Sequence, residues 1–187
     1  MRRLRRLPEY IIHPISPWER LYLTKNPWSF ERPSEVHRFE ETNRLIRERV
    51  GPVETIFEIG SAEGDQTEYL SQLANKVRGV EISLTAVRRA QYKFANNPKI
   101  SFSVGKAPDI RVSERFDLVT ALEVVYYVKP KNIPAVFEMM DRLGHKRIVS
   151  VYWPHKRVLD DFLFPTRNTS RQIIYWENKP RWLVAWW

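Results

Sequence analysis

The chain has 187 residues, 43% of them apolar, so it has the size of one domain and can bury one hydrophobic core. Its 31 Lys and Arg against 22 Asp and Glu give a net charge of +9, which admits nucleic acid, an anionic surface or an acidic substrate as a partner. It contains no cysteine, which excludes disulfides, thiolate metal sites and cysteine nucleophiles.

The beginning of the chain is basic and then rich in proline. Four arginines fall within residues 2–6, and we interpret them as a solvated terminus rather than as a specific anion-binding arm. Prolines spread from Pro8 to Pro33 interrupt any apolar run, so we expect no secretory signal, no membrane span and a cytoplasmic protein. Residues 1–33 are predicted to be an extended lead-in, and residues 34–187 to form the domain itself.

The remaining pattern alternates between short apolar runs and runs with helical spacing. The predicted strands are residues 54–59, 77–82, 100–104, 116–121 and 147–152. The predicted helices begin at Ser34 as an N-cap, at Asp65 with Glu68 as a capping pair, at Ser83 as an N-cap, and near Asn132. Such alternation predicts an α/β fold with a mostly parallel sheet and helices on both faces.

The end of the chain has a different pattern. Two β-rich runs, Arg171–Glu177 and Arg181–Trp187, are separated by Asn178-Lys179-Pro180. They predict an antiparallel hairpin on the edge of the sheet. Its tryptophans would be exposed unless they pack, so both a monomer and a homodimer are compatible with the sequence.

A glycine-bearing turn, Glu58-Ile59-Gly60-Ser61-Ala62-Glu63-Gly64, follows the first predicted strand, where open α/β sheets bind their ligands. Its glycines and small residues let a ligand approach the backbone closely. Ala62 replaces the central glycine of the dinucleotide fingerprint, and the Gly-Lys-Ser/Thr of a phosphate loop is absent. Glu81 ends the second strand, where it can accept hydrogen bonds from both ribose hydroxyls or be an ordinary acid at a helix start.

The pattern E-I-G-S-A-E-G, then V-E-I, then F-D-L-V-T-A-L-E-V-V-Y-Y-V resembles the class I S-adenosylmethionine (SAM) methyltransferases. It is most similar to the nodulation protein S type of small N-methyltransferase. The likeness runs from about Pro27 to Tyr127 and includes Asn26-Pro27-Trp28, which is similar to the D-P-W of that family. It implies one Rossmann-like methyltransferase domain, SAM as the cofactor and no metal.

The resemblance also implies individual contacts with SAM. Backbone and side chains of the turn would meet the methionine part, Glu81 the ribose, and Ile82 one face of the adenine. Trp28 and Arg38 would close over the cofactor, with Arg38 binding its carboxylate. The third strand leads into Lys106, where family members commonly have an acid for the adenine amino group. Adenine recognition would then depend on backbone groups near Lys106 and Ala107, or on Asp109. The implied cofactor-binding residues of the turn are Glu58, Gly60, Ser61, Ala62 and Gly64.

The residues after the fourth strand are the predicted catalytic group. Glu123 could take up or orient the proton of an amine, and Tyr127 could position that amine or line the sulfonium side of the cofactor. Tyr126 and Tyr127 are consecutive and point differently, so at least one of them is expected to pack in the core. The histidines have no metal-binding spacing, but His13 and His155 are further candidates for contact with the acceptor.

The resemblance implies an N-methyltransferase acting on a small-molecule or glycan acceptor, with the class of acceptor taken from that analogy. A nucleic-acid (RNA) methyltransferase is the alternative that the charge admits. It is disfavoured because no Asn/Asp-Pro-Pro-aromatic motif follows the fourth strand and no cysteine is present to attack a pyrimidine. An O-methyltransferase and a non-catalytic binding subunit also stay open.

Overall fold

The computed structural model describes residues 16–187, so the arginines of residues 2–6 and His13 lie outside the described residues. The strands are β1 (Thr55–Ile59), β2 (Lys76–Glu81), β3 (Ile100–Val104), β4 (Phe116–Leu122), β5 (Gly144–Tyr152), β6 (Ser170–Trp176) and β7 (Lys179–Trp186). The helices are α1 (Pro17–Leu21), α2 (Pro33–Leu45), α3 (Asp65–Leu70), α4 (Leu84–Lys93), α5 (Ile133–Leu143) and α6 (Arg157–Phe162). A π-helical turn, Ile46–Val50, continues α2.

The seven strands form one sheet in the order β3-β2-β1-β4-β5-β7-β6. The first five along this order run parallel, whereas β7 pairs antiparallel with both β5 and β6. The predicted α/β fold with a parallel sheet and a terminal hairpin is therefore confirmed. The hairpin turn is Glu177-Asn178, which begins one residue earlier and is one residue shorter than the predicted Asn178-Lys179-Pro180. Both turn residues adopt positive φ (49° and 60°), as a tight two-residue hairpin requires.

The sheet is buried on both faces because alternate strand residues are apolar on each side. Helix α5 has Ile133, Val136, Phe137 and Met140 at helical spacing, and these pack with β4 and β5 on one face. The opposite face packs Leu45 and its neighbours against β1, β4 and β5. Trp182 of the hairpin is only 2% exposed, and Trp186 and Trp187 pack against the two cores. The hairpin tryptophans are thus covered within one chain.

Helix starts differ in part from the predictions. Ser83 does cap α4, since its Oγ accepts from Ala86 N at 3.1 Å. Helix α2, however, begins at Pro33 with Arg32 at the cap position, because the fixed φ of proline suits the first turn. The predicted capping pair is also wrong: Gly64 precedes α3, and the Asp65 carboxylate lies 3.1 Å from Lys93 Nζ instead.

The described part of the lead-in, residues 16–33, is not simply extended, because it contains the short helix α1. Tyr22, Trp28 and Phe30 pack against Ala62 of the glycine turn. The Glu19 carboxylate accepts hydrogen bonds from the backbone of Leu84 and Thr85 at the start of α4. These contacts hold the segment against the carboxyl ends of β1 and β2. The division at residue 33 stays a prediction.

Candidate active site

A cleft of about 910 Å³ opens at the carboxyl ends of the parallel strands and is lined on one side by residues of the lead-in. Its position agrees with the general rule for ligand sites in open α/β sheets. All of the predicted site residues except Gly64 line it: Trp28, Arg38, Glu58, Gly60, Ser61, Ala62, Glu81, Ile82, Lys106, Ala107, Glu123 and Tyr127. Asp109, the side-chain alternative for adenine, is exposed and is not among the lining residues.

The glycine turn is held in a conformation that side chains disfavour. Gly60 has φ of 77°, and a Cβ there would stand 2.3 Å from Val124 Cγ2. Ala62 also has positive φ, at 48°, and its N–H donates to Glu81 Oε2 at 3.1 Å. The end of β2 therefore fixes the shape of the turn that follows β1.

Gly64 has a structural role that the sequence did not distinguish from ligand contact. Its φ is 92°, and a Cβ would meet Phe94 Cε2 at 2.6 Å and Phe102 Cζ at 2.9 Å. The glycine lets α3 start close to α4 and β3. Gly64 is not among the residues that line the cleft, and contact of its backbone with a cofactor stays a prediction.

Glu81 is 7% exposed and accepts three backbone hydrogen bonds, from Ala62 N, Ile82 N and Ser83 N. Burial raises the pKa of Glu81, although these hydrogen bonds oppose the rise. A carboxylate has about four acceptor sites, so about one remains, on Oε2, for a ligand in the cleft. The geometry thus leaves Glu81 about one free acceptor site for a ligand, and its contact with both hydroxyls of a ribose stays a prediction.

A buried polar cluster of Arg38, Glu58, Gln66 and Thr67 joins α2, β1 and α3. Arg38 is 2% exposed, and it donates from Nε to Glu35 and from Nη1 to Gln66 Oε1, each at 3.0 Å. The Nε2 of Gln66 is buried without a hydrogen-bond partner among the described residues, and Gln66 lines the cleft. Gln66 was not identified as a site residue from the sequence. Its place in the first helical turn of α3, directly after the glycine-bearing turn, could have indicated that it faces the cleft.

Glu58 is the acid of this cluster, and it is 1% exposed. Thr67 Oγ1 donates to its Oε2 at 2.5 Å, and burial raises the pKa of Glu58 to about 8. In the unfolded chain the carboxyl has its ordinary pKa of 4.5, so between these values the folded state binds more protons. The stability that this group contributes is therefore present at low pH and is lost as the pH rises from 4.5 towards about 8.

This difference predicts a pH-dependent unfolding temperature for the ligand-free protein. Glu58→Gln keeps an acceptor for Thr67 but cannot ionise, so we expect its unfolding temperature to fall less between about pH 5 and about pH 9 than that of the wild type. Thermal unfolding across this range measures the difference, with the exposed Glu138→Gln as the matched control. Parallel curves for the wild type and Glu58→Gln would contradict a neutral Glu58.

Glu123 and Tyr126 form a second polar group, where β4 ends. Glu123 has φ of 60°, and its carboxylate accepts from Ser150 Oγ at 2.8 Å and from Tyr126 Oη at 3.0 Å. Burial raises the pKa of Glu123. The Tyr126 ring stacks on His155, with centroids 4.5 Å apart.

Tyr127 lies beside Tyr126, with ring centroids 4.5 Å apart, on the side of the cleft that faces the lead-in. Its ring lies 5.4 Å from that of Trp18 and 5.6 Å from that of Trp28, and the residue is 44% exposed. Tyr126, not Tyr127, therefore makes the hydrogen bond to Glu123. Tyr127 instead joins the lead-in to the rest of the cleft, and its catalytic role stays a prediction.

A family comparison identifies the chain. The model of the nodulation protein S (NodS) family matches residues 18–147, which is most of the chain. This chain belongs to the NodS family. Nodulation protein S of Bradyrhizobium diazoefficiens is 28% identical over 112 residues, which are 59% of this chain and 53% of that protein. Nodulation protein S of Sinorhizobium fredii is 24% identical over 106 residues, which are 56% of this chain and 49% of that protein. This NodS family member thus spans about half the length of the curated relatives that it matches.

The fold of this NodS family member is that of the class I methyltransferases. The crystal structure of N-methyltransferase NodS from Bradyrhizobium japonicum WM9 in complex with S-adenosyl-L-homocysteine superposes with a TM-score of 0.74 at 20% identity. That match covers 90% of this chain and 94% of the other. Magnesium protoporphyrin IX methyltransferase from Synechocystis PCC 6803, with bound SAM, superposes with a TM-score of 0.61 at 18% identity. That match covers 90% of this chain and 88% of the other.

The described residues of this NodS family member contain neither a metal-binding cluster nor a membrane-spanning helix. Within residues 16–187, no three or more His, Cys, Asp or Glu side chains lie together as a metal-binding group. No helix in the same range is long and apolar enough to cross a membrane.

Proposed function

We propose that this chain is a SAM-dependent methyltransferase that transfers the methyl group to an amine nitrogen of a small-molecule or glycan acceptor. The observation that carries the proposal is one cleft that joins Glu81, the Arg38–Gln66 pair and Glu123. These residues can supply an acceptor site for a ribose, a cation for a carboxylate and a buried acid for the proton of the amine. Two of the similar structures contain S-adenosyl-L-homocysteine or SAM, which agrees with this cofactor.

The cofactor would lie along the glycine turn. Glu81 Oε2 has an acceptor site for a ribose hydroxyl, and the positive φ values of Gly60 and Ala62 keep side chains away from that path. Within the described residues Arg38 Nη2 donates no hydrogen bond, and Gln66 Nε2 has no partner. Both groups could therefore bind the methionine carboxylate. Exposed Lys106 lines the adenine end, where backbone groups would replace the missing acid.

SAM supplies an activated methyl group, so the protein's part is to align an amine and to accept its proton. Glu123 is suited to this because burial raises its pKa, which brings a carboxylate closer to the basicity that proton transfer near neutral pH requires. Ser150 and Tyr126 fix both of its oxygens. An amine needs no stronger base, which is why nitrogen is favoured over a hydroxyl oxygen as the acceptor.

Calorimetry of the protein with SAM and with S-adenosyl-L-homocysteine tests the cofactor assignment. We expect both to bind with one site per chain, and failure of both would overturn the proposal. A screen with methyl-labelled SAM then compares amines with hydroxyl-bearing acceptors, and we expect label on amines only. RNA is the counter-screen: binding that weakens steeply with salt would favour the nucleic-acid alternative. Light scattering distinguishes a monomer from a homodimer, and a cytoplasmic location stays a prediction.

A further inference from the structure

The side of the cleft formed by β5 and β7 contains an arginine without a counter-charge. Arg181, near the start of β7, donates from Nη1 to Tyr152 Oη at 2.9 Å, and its guanidinium carbon lies 4.8 Å from the centroid of that ring. The same guanidinium carbon lies 5.7 Å from the centroid of the Trp182 ring. Within residues 16–187, Arg181 makes no ion pair, and its buried Nε has no hydrogen-bond partner.

The carboxylates that line the cleft are all engaged elsewhere. Glu35 pairs with Arg38, Glu58 accepts from Thr67, and Glu81 accepts from backbone N–H groups. Glu123 is held by Ser150 and Tyr126. A partly buried, immobilised guanidinium loses solvation that no described carboxylate restores, and a ligand anion would restore it.

The lysines at the same cleft increase the excess of positive charge. Lys129 and Lys131 are exposed, line the cleft and make no ion pair within the described residues. Arg181 differs from them because Tyr152 fixes its position. A fixed planar guanidinium is the group that recognises carboxylate or phosphate with defined geometry.

We propose that Arg181 binds an anionic group, a carboxylate or a phosphate, on the acceptor and so selects anionic amines over neutral ones. This rests on the proposed function, because it names the class of acceptor for the same cleft. Arg181 lies outside residues 18–147, the segment that the family model matches. The acceptor preference of this chain would therefore be set by residues that the shared family pattern does not include.

The strand order gives the approximate dimensions of such an acceptor. Tyr152 pairs with Trp182, so Arg181 lies one residue beyond the carboxyl end of β5. It is two strands from β4, which Glu123 follows, and four strands from β2, which Glu81 ends. At about 4.8 Å between strands, the anion would lie on the order of 10 Å from Glu123 and on the order of 19 Å from Glu81. The acceptor anion and the cofactor ribose thus occupy opposite ends of the cleft.

The test compares matched amines that differ in one charged group. Glucosamine is the probe without an anionic group, glucosamine 6-phosphate the phosphate probe, and 2-amino-2-deoxyglucuronic acid the carboxylate probe. Calorimetry at constant ionic strength measures their affinities for the protein saturated with S-adenosyl-L-homocysteine. We expect at least one anionic probe to bind the wild type about tenfold more tightly than glucosamine, as hydrogen bonds to a charged group of this kind provide.

Variants of Arg181 decide whether this residue is responsible. Arg181→Gln should abolish the preference for the anionic probe and leave the affinity for S-adenosyl-L-homocysteine unchanged, while Arg181→Lys should retain only part of the preference. Lys179→Gln, an exposed change on the same strand, is the matched control and should behave as the wild type. Equal affinities for all three probes, or a preference that survives Arg181→Gln, would overturn the proposal.

The proposed function and this inference can fail separately. If the protein does not bind S-adenosyl-L-homocysteine, the proposed function is wrong, and the same probes are then titrated into the ligand-free protein. A preference that depends on Arg181 would still establish an anion site in the cleft. If S-adenosyl-L-homocysteine binds but the probes do not differ, only the anionic acceptor is wrong.

Discussion

Replacing Glu81 by alanine is expected to weaken SAM binding by about two orders of magnitude. The substitution removes a charged acceptor from the ribose, and a hydrogen bond to a charged group contributes about 1.5–3 kcal/mol. It also releases Ala62 N, which the carboxylate holds at 3.1 Å, so the glycine turn loses a constraint on its positive-φ conformation. Calorimetry with SAM measures the combined effect.

The matched control for Glu81 is Glu63→Ala in the same turn. Glu63 pairs with Arg89 at 2.6 Å and does not line the cleft, so its loss should change SAM affinity little. Thermal unfolding of both variants separates a binding defect from a folding defect. Equal SAM affinity for Glu81→Ala and the wild type would mean that the cofactor does not lie along this turn.

The second large effect is expected at Glu123. Glu123→Gln keeps the size of the side chain, and it can accept from one of the Ser150 and Tyr126 hydroxyls and donate to the other, but it cannot take a proton from the acceptor. General-base contributions are typically about 10²–10⁴-fold, so we expect kcat to fall by about that factor. The affinity for SAM should stay within about twofold, because the change is confined to proton transfer.

Tyr126→Phe and Tyr127→Phe refine this test. Tyr126→Phe removes the hydroxyl that donates to Glu123 Oε2, so it should lower kcat, by less than Glu123→Gln does. The ring of Tyr127 contacts Trp18 and Trp28, so loss of its hydroxyl should affect catalysis less than loss of that of Tyr126. An unchanged kcat in Glu123→Gln would exclude this residue as the base, and a larger effect at Tyr127 would restore the role that the sequence assigned to it.

The order of the elements and the position of the cleft could be predicted from the sequence because both depend on local signals. Apolar runs of five or six residues, each followed by a turn and a helical repeat, specify a parallel α/β sheet. The glycine turn and Glu81 follow the ends of two such runs, and strands that run parallel bring their ends to the same edge. The family resemblance drew on the same residues.

Other features depended on contacts between segments that are distant in the sequence. The use of Gly64 for packing depends on Phe94 and Phe102, and the choice of Tyr126 over Tyr127 depends on the angle at which the chain leaves β4. Arg181 acquires its position only because β7 pairs with β5. No periodicity in the sequence contains that information.

The sequence by itself therefore determined the fold class, the family and the location of the cleft, because hydrophobic periodicity and turn chemistry act over a few residues. The tertiary structure alone decided which polar groups are already satisfied within the described chain. It showed that Glu81 has one acceptor site left, and that Gln66 and Arg181 retain donors without partners there. Hydrogen-bond satisfaction and burial depend on the whole packed molecule, so they could not be predicted from local pattern.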